Sequence, residues 1–270
     1  DTPHSDYVTE FQDGSLRVCR REGYDLLIHP CSADAQGLVE EVMNLHRQAT
    51  VDGFIVLQPV SERQTLNRAL LDAGIPYVRV SQRPVEGSLL VSVDDAQAAG
   101  RMTDHLIELG HHRIGFIVGR PDHGSSHDRL DGYRSALKGA GIPFDSGLVE
   151  PGMYNFESGY SAARRLLSLP EPPTAIFASN DHMAMGVLTA AHEKGIDVPG
   201  RLSVTGFDDT AMARFAWPPL TTVRQPIVQV ARLATEMLMK RLRGEEVDPP
   251  TAVLRSDLVR RASSGPAPTR

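Results

Sequence analysis

Short apolar runs alternate along this chain with longer stretches of helical periodicity, and that alternation constrains the fold more than any other feature. The first runs are Tyr24–Ile28, Gly53–Leu57 and Ile75–Val80; a second set is Ile114–Val118, Thr174–Ala178 and Leu202–Phe207. Val, Ile and Phe without strict polar alternation suit strands covered on both faces. The chain opens in a helix near Ser5–Arg20, and between the runs lie further helix-like segments, for example Ala33–Ala49, Ala96–Leu109, Arg129–Ala140, Ser158–Leu169 and His182–Lys194. Gly110, Gly141 and Gly195 follow three of them, where a residue that accepts the left-handed conformation closes a helix. Strand–helix alternation predicts parallel sheets joined by right-handed crossovers. Two sets of three strands predict an α/β protein of two similar lobes, each a parallel sheet flanked by helices. The first crossover is expected within Ser88–Asp95. Gln225–Leu242 is a late amphipathic helix, with Val230, Ala231, Ala234, Met237, Leu238 and Arg241 at helical spacing.

A length of 270 residues accommodates two such lobes. The formal net charge of −6 has the wrong sign for a surface that neutralises phosphates, so nucleic acid would have to be touched by another segment. Two cysteines, Cys19 and Cys31, argue against a disulfide framework and suit a reducing cytoplasm. No apolar run approaches the ~18 residues that a membrane span needs. No membrane partner is expected.

Ligands of open α/β sheets bind beyond the carboxyl ends of the strands. Those ends carry Gln58, Ser81, Arg120, Ser179-Asn180-Asp181 and Asp208-Asp209. Such side chains suit a polyhydroxylated ligand, since each hydroxyl both donates and accepts. Tyr154 or Phe156 could cover the apolar face of a sugar ring. Each lone polar residue also has a plainer use: Asn180 and Asp181 precede a helix, where they would serve as caps. Enzyme readings fare worse. There is no Walker loop or GxGxxG turn, and no GxSxG frames Ser125-Ser126. Asp94-Asp95 and Asp208-Asp209 cannot each flank one bond, because neighbours on a strand point to opposite faces. His111-His112 lacks further ligands at metal-site spacing. No catalysis, cofactor or metal is expected.

Several segments carry a closer likeness. Leu106–Ile117 (LIELGHHRIGFI), Arg129–Tyr133 (RLDGY), Pro173–Asp181 (PTAIFASND), Ser203–Asp209 (SVTGFDD) and Pro218–Gln225 (PPLTTVRQ) resemble the LacI/GalR family of bacterial transcription regulators in both order and spacing. The resemblance runs from about Tyr7 to Arg261. It implies a dimeric repressor with an N-terminal helix-turn-helix headpiece, a hinge helix and a periplasmic-binding-protein-like core that takes effector between its lobes. The headpiece is not in this chain, so operator DNA would be reached only through it. Residues 1–93 with 226–254 would form the first lobe, and 94–225 with 255–262 the second. Residues 263–270, rich in Ser, Pro and Gly, would be a frayed tail.

The resemblance also implies site residues. Arg129, Asn180 and Asp208 match the family's sugar-contacting Arg, Asn and Asp. Gln225 sits where the chain returns to the first lobe, Tyr154 where an aromatic often stacks on the sugar, and Ser125 at a weaker polar contact. Ser81 departs from the pattern, since relatives often carry Asp or Asn there. The family core also begins with a strand, whereas this chain opens in a helix. The implied mechanism is allosteric: effector binding biases the arrangement of the lobes and so the spacing of two headpieces on DNA. The expected effector is an unphosphorylated sugar or short oligosaccharide, because no Gly-rich anion turn or Arg/Lys cluster is present. A homodimer is expected through Tyr7, Phe11 and Val18 of the opening helix, and through Phe215 and Trp217 of an apolar loop. The alternative is a periplasmic sugar-binding protein of a transport system, which shares the fold.

Overall fold

The computed structural model describes residues 6–48 and 51–269. Ser5, Ala49 and Arg270, where two expected helices and the expected tail end, lie outside them. The chain divides into two compact units, Asp1–Val93 with Pro226–Leu254, and Asp94–Gln225 with Arg255–Arg270.

The first unit is built on a parallel sheet of order β1-β2-β3-β9, comprising β1 (Phe54–Val56), β2 (Tyr77–Val80), β3 (Leu89–Val93) and β9 (Thr251–Leu254). Side-chain alternation along β2 separates two cores. Val78 and Val80 face α1 (Asp6–Glu22) and α9 (Ile227–Leu242), in a cluster with Phe11, Val91, Ile227, Val230 and Leu238. Tyr77 faces the other way, toward α2 (Leu38–Arg47) and α3 (Gln64–Asp72), among Val42, Leu66 and Leu70. The apolar stripe expected on α9 is buried at Val230, Ala231, Ala234, Met237 and Leu238, while Arg241 lies exposed at its end.

Two expectations fail here. Phe11 and Val18 are buried inside the unit, Phe11 against the α9 cluster and Val18 beside Cys19 and Met239. One face of an amphipathic helix was open to either use, and the unit's own core takes it. Tyr7 packs at the margin of the same cluster, with its ring stacked 6.4 Å from that of Phe11. The run Tyr24–Ile28 forms no strand, and Leu27 and Ile28 are each half exposed. A strand exists only through a hydrogen-bonded neighbour. Among the described residues β1 pairs with β2 alone, which leaves this run without a ladder.

The second unit repeats the pattern. Its parallel sheet has the order β5-β4-β6-β7: β4 (Ile114–Ile117), β5 (Val149–Glu150), β6 (Ala175–Ala178) and β7 (Ser203–Thr205). Ala175 and Phe177 face one core with Phe116, Tyr133 and Phe207, under α4 (Asp95–Glu108) and α5 (Gly124–Gly139). Ile176 and Ala178 face the other, under α6 (Phe156–Leu166) and α7 (Asp181–Glu193). Helices α4 and α5 meet at backbone distance: a side chain on Gly132 would run into the carbonyl of Ala96. An antiparallel pair, β8 (Thr222–Arg224) with β10 (Asp257–Val259), continues from β7 through isolated bridges at Thr205–Thr221 and Asp208–Arg224. The apolar loop is a short helix, α8 (Ala211–Phe215). It buries Ala213 and leaves Phe215 86% and Trp217 92% exposed.

The expected frayed tail is instead docked. Ser263 is fully buried; its hydroxyl donates to the Val204 carbonyl, and its own carbonyl accepts from the Val204 N–H. Gly265 N–H donates to Ser203 Oγ, and Ala267 N–H to the Leu109 carbonyl. Ser and Gly read as loop formers by composition, yet here their polar groups satisfy a buried edge. His111, wholly buried, sits at the centre. Nδ1 lies 2.9 Å from Thr174 Oγ1, and Nε2 lies 3.0 Å from both Ser203 Oγ and the Gly265 carbonyl. His105 Nε2 meets Ser264 Oγ at 3.1 Å.

Burial lowers the pKa of both rings below the ordinary 6.5, helped by Arg260 at His105 and by His112 at His111. The folded state therefore favours neutral imidazoles. That contribution is intact above pH 6.5, the ordinary value that applies in the unfolded chain, and is lost as pH falls through the lower folded values. The urea-midpoint difference between wild type and His105→Gln is expected to be smaller at about pH 5.5 than at about pH 7.5, because only the wild type carries the proton-dependent penalty of His105. A difference that stays constant over this range would contradict the neutral-ring account.

Candidate functional site

In the second unit the polar groups at the strand ends form one connected network. Arg129 rises from α5 and is 4% exposed. Its Nε donates to Asp95 Oδ1 at 2.7 Å, its Nη1 to the Ser179 carbonyl at 2.5 Å, and its guanidinium lies 3.7 Å over the ring of Phe207. Burial works against the charge, but the negative field of Asp95 and Asp208 outweighs it and raises the pKa. A cation so held keeps one charge state and one orientation.

Asn180 caps α7: Oδ1 accepts from the Met183 N–H at 2.9 Å, while Nδ2 donates to the Tyr154 carbonyl at 3.0 Å. The cap reading of this residue is therefore realised, and it ties α7 to the Tyr154 loop. Tyr154 has a left-handed backbone, φ 60°. Its hydroxyl lies 2.8 Å from Ser126 Oγ and 3.3 Å from Ser125 Oγ, and its ring meets His123 edge-on at 5.5 Å. The ring occupies the space that a side chain at residue 119 would need, so Gly119 is required there. Phe156 does not join this group; its ring stacks on Tyr160 on α6, 6.2 Å away.

Asp208 follows β7 in an unusual backbone state, φ 116°, and Asp209 has φ 58°. Asp208 N–H donates to the Val223 carbonyl at 2.7 Å, and Asp208 Oδ1 accepts from Gln225 Nε2 at 2.7 Å. Asp209, itself buried, turns the other way and pairs with the exposed Arg224 at 2.6 Å and with Arg261. Adjacent aspartates thus have opposite jobs, set by this left-handed turn rather than by strand alternation.

Arg129, Asn180, Asp208, Gln225, Tyr154 and Ser125 all belong to this one unit and meet through shared neighbours. Ser81 lies in the first unit, 1% exposed, where it donates to Glu62 Oε1 at 2.7 Å and accepts from Arg79 Nη2 at 3.0 Å. Its hydroxyl is thus bonded on both sides within that unit. Arg79, itself buried, also donates to the carbonyls of Ser61 and Arg83.

Sequence reasoning missed Asp95, Ser126 and Phe207 as parts of the network. Asp95 opens α4, where a carboxylate is ordinarily read as favourable to a helix N-terminus. Its neighbour Asp94 does serve structure, binding Arg101 at 2.9 Å and the Ser256 N–H at 2.7 Å. Only the burial of Arg129 reveals what Asp95 is for. No nucleophile–base pair occurs in the network. Among the described residues no cluster of three His, Cys, Asp or Glu could hold a metal.

Residues 103–264 match the periplasmic binding protein-like domain. The chain is 34% identical over 239 residues to the ribose operon repressor of Escherichia coli (strain K12), covering 87% of this chain and 72% of that protein. A LacI family transcriptional regulator from Enterococcus faecium, solved with bound ribose, superposes with a TM-score of 0.86 at 26% identity, covering 96% of this chain and 94% of that one. The regulator CelR in complex with cellobiose gives 0.87 at 31% identity, covering 95% of this chain and 79% of that one. This chain belongs to the LacI family of transcriptional regulators. Its fold is that family's periplasmic-binding-protein-like core, and the transport-protein alternative is not favoured by these relatives.

Replacing Asp208 with Ala should weaken effector binding by about 1.5–3 kcal/mol, because an ionised acceptor is lost. Calorimetry checks this; unchanged affinity would show that Asp208 serves only its own loop.

Proposed function

We propose that this chain senses a neutral sugar at the strand ends of its second unit and so regulates transcription in the cytoplasm. Arg129, Asn180, Asp208 and Gln225 are the polar contacts, Tyr154 is the aromatic wall, and Ser125 supports it. Operator DNA is engaged through an N-terminal headpiece of the family type, consistent with the net charge of −6 on these 270 residues. The observation that carries the proposal is that Arg129, held by Asp95 and lying over the rings of Phe207 and Tyr154, shares these strand ends with Asp208, which accepts from Gln225. Donor and acceptor side by side suit neighbouring hydroxyls. The bound ribose and cellobiose of the two related structures support the same ligand class. Nothing in the network calls for catalysis.

Neutrality of the sugar follows from how the nearby cations are used. Arg129 spends Nε and Nη1 on Asp95 and Ser179, and Arg120 grips Asp122 through two bonds, of 3.0 and 2.8 Å. A phosphate would meet Asp208 without a dedicated partner. A thermal-shift panel of D-ribose, cellobiose, other common sugars and their phosphate esters tests this, since a ligand bound only by the folded state raises its stability. A free sugar is expected to raise the melting temperature more than its ester does. A saturable shift by an ester with none from the parent sugar overturns the reading.

The proposed active species is a homodimer. Phe215 and Trp217, which stand almost wholly in solvent on and just after α8, support a self-complementary contact. Sedimentation at about 10 μM, above the dissociation constants of most specific interfaces, should show a dimer. Phe215→Ala with Trp217→Ala should move it toward monomer and leave sugar binding intact. A monomeric wild type would remove the dimer from the proposal.

A further inference from the structure

The buried carboxyl group of Asp181 is tied to the loop that carries Asp208, and burial together with the nearby Asp208 pushes its pKa up to about 8. Asp181 opens α7 and is wholly buried. Its Oδ1 accepts from Thr222 Oγ1 at 2.6 Å. Its Oδ2 accepts from the Thr210 N–H at 2.8 Å and from Thr210 Oγ1 at 3.1 Å. Its own N–H donates to the Phe207 carbonyl at 2.8 Å. One residue therefore fastens α7, β8 and both ends of the segment Phe207–Thr210. Inside that span lie Asp208 and Asp209, two consecutive non-glycine residues at positive φ. Such a pair persists only where surrounding bonds over-determine it. Gly206 completes the fit, because a side chain there would strike Asp181 Oδ1.

We infer that Asp181 is a positioning residue for effector recognition: its carboxyl group straps the Phe207–Thr210 loop in the backbone state that holds Asp208 on Gln225 and the Phe207 ring under Arg129. The inference rests on the proposed role of Asp208 as an effector contact. The bonds run from donors on the loop and on β8 into acceptors on Asp181, so what matters is an acceptor of the right shape. Loss of the acceptor frees Thr210 first, then lets Asp208 relax toward negative φ and swing away from Gln225. An Asn in the same place keeps an acceptor for Thr210 and can offer its amide to the Thr222 hydroxyl. A Val fills the space and accepts nothing.

Hydrogen exchange at the amides of residues 208–210, measured beside those of β4 and β6, reads the strap without any ligand. Asp181→Val should speed exchange at 208–210 at least about tenfold and leave β4 and β6 unchanged, while Asp181→Asn should stay close to wild type. Thr222→Val and Thr222→Ser repeat the comparison if the Asp181 variants fold poorly; the Ser variant, which keeps the hydroxyl, should retain protection. Affinity for D-ribose or whichever sugar the panel identifies should fall at least about tenfold with Asp181→Val, and not further when Asp208→Ala is added. Equal exchange in the Val and Asn variants, or acceleration spread evenly over the unit, overturns the inference. If Asp208→Ala alone leaves affinity unchanged while Asp181→Val still releases 208–210, the strap stands and the effector reading of Asp208 falls. If Asp208→Ala weakens binding and Asp181→Val does not, the inference falls.

Discussion

The burial of Arg129 is the constraint on which the second unit is organised. A guanidinium this far from water is tolerated only when it is paired and its donors are satisfied. Asp95, the Ser179 carbonyl and the face of Phe207 meet that need together. They come from α4, from the end of β6 and from the end of β7, so one side chain sets the spacing of three elements. The reach from α5 to Asp95 depends in turn on Gly132, one turn beyond Arg129, which lets the backbone of α5 touch that of α4 at Ala96. Removing either charge would strand the other, at a cost of about 3–5 kcal/mol. Rigidity in this pair is also what a recognition site needs, because a donor already held in place loses little freedom when a ligand arrives.

The first unit meets a similar problem differently. Arg79 is as deeply buried, but its bonds go to the carbonyls of Ser61 and Arg83 and to the hydroxyl of Ser81. Burial accordingly lowers its pKa, with Glu62 working against that. Ser81 is held between these two charged groups rather than offered to solvent. The same residue type at a strand end can thus be a contact or a brace, depending on what the strand itself carries two positions earlier. In the second unit the corresponding division runs through adjacent residues: Asp208 joins the polar network, while Asp209 anchors the loop through Arg224 and Arg261.

Much of this was legible in advance, and the failures share a cause. Buried strands such as β4, β6 and β7 announce themselves because apolar runs of that length have few other uses. The cap at Asn180 was legible because its partner, the Met183 N–H, is local. Tyr24–Ile28 reads just as strongly as a strand, but strand formation is a property of pairs, and a run cannot show whether its neighbour is beside it. Phe11 and Val18 read correctly as one apolar face of α1; which surface would cover that face was not a local property. Composition misread the docked tail, since Ser263 and Gly265 are ordered by distant partners at Val204, Ser203 and His111.

Periodicity, turn residues and the spacing of polar groups at strand ends are encoded locally. From them the sequence by itself determined the α/β class, two sheets of parallel strands, and the family to which the chain belongs. Only the tertiary structure decided which polar residues share a network. Arg129 and Asp95 are 34 positions apart, Asp181 and Thr222 are 41 apart, and His111 and Gly265 are 154 apart. A side chain's chemistry in water is written in its identity. Its chemistry in the protein depends on the partners that burial imposes, and those are chosen by the path of the whole chain.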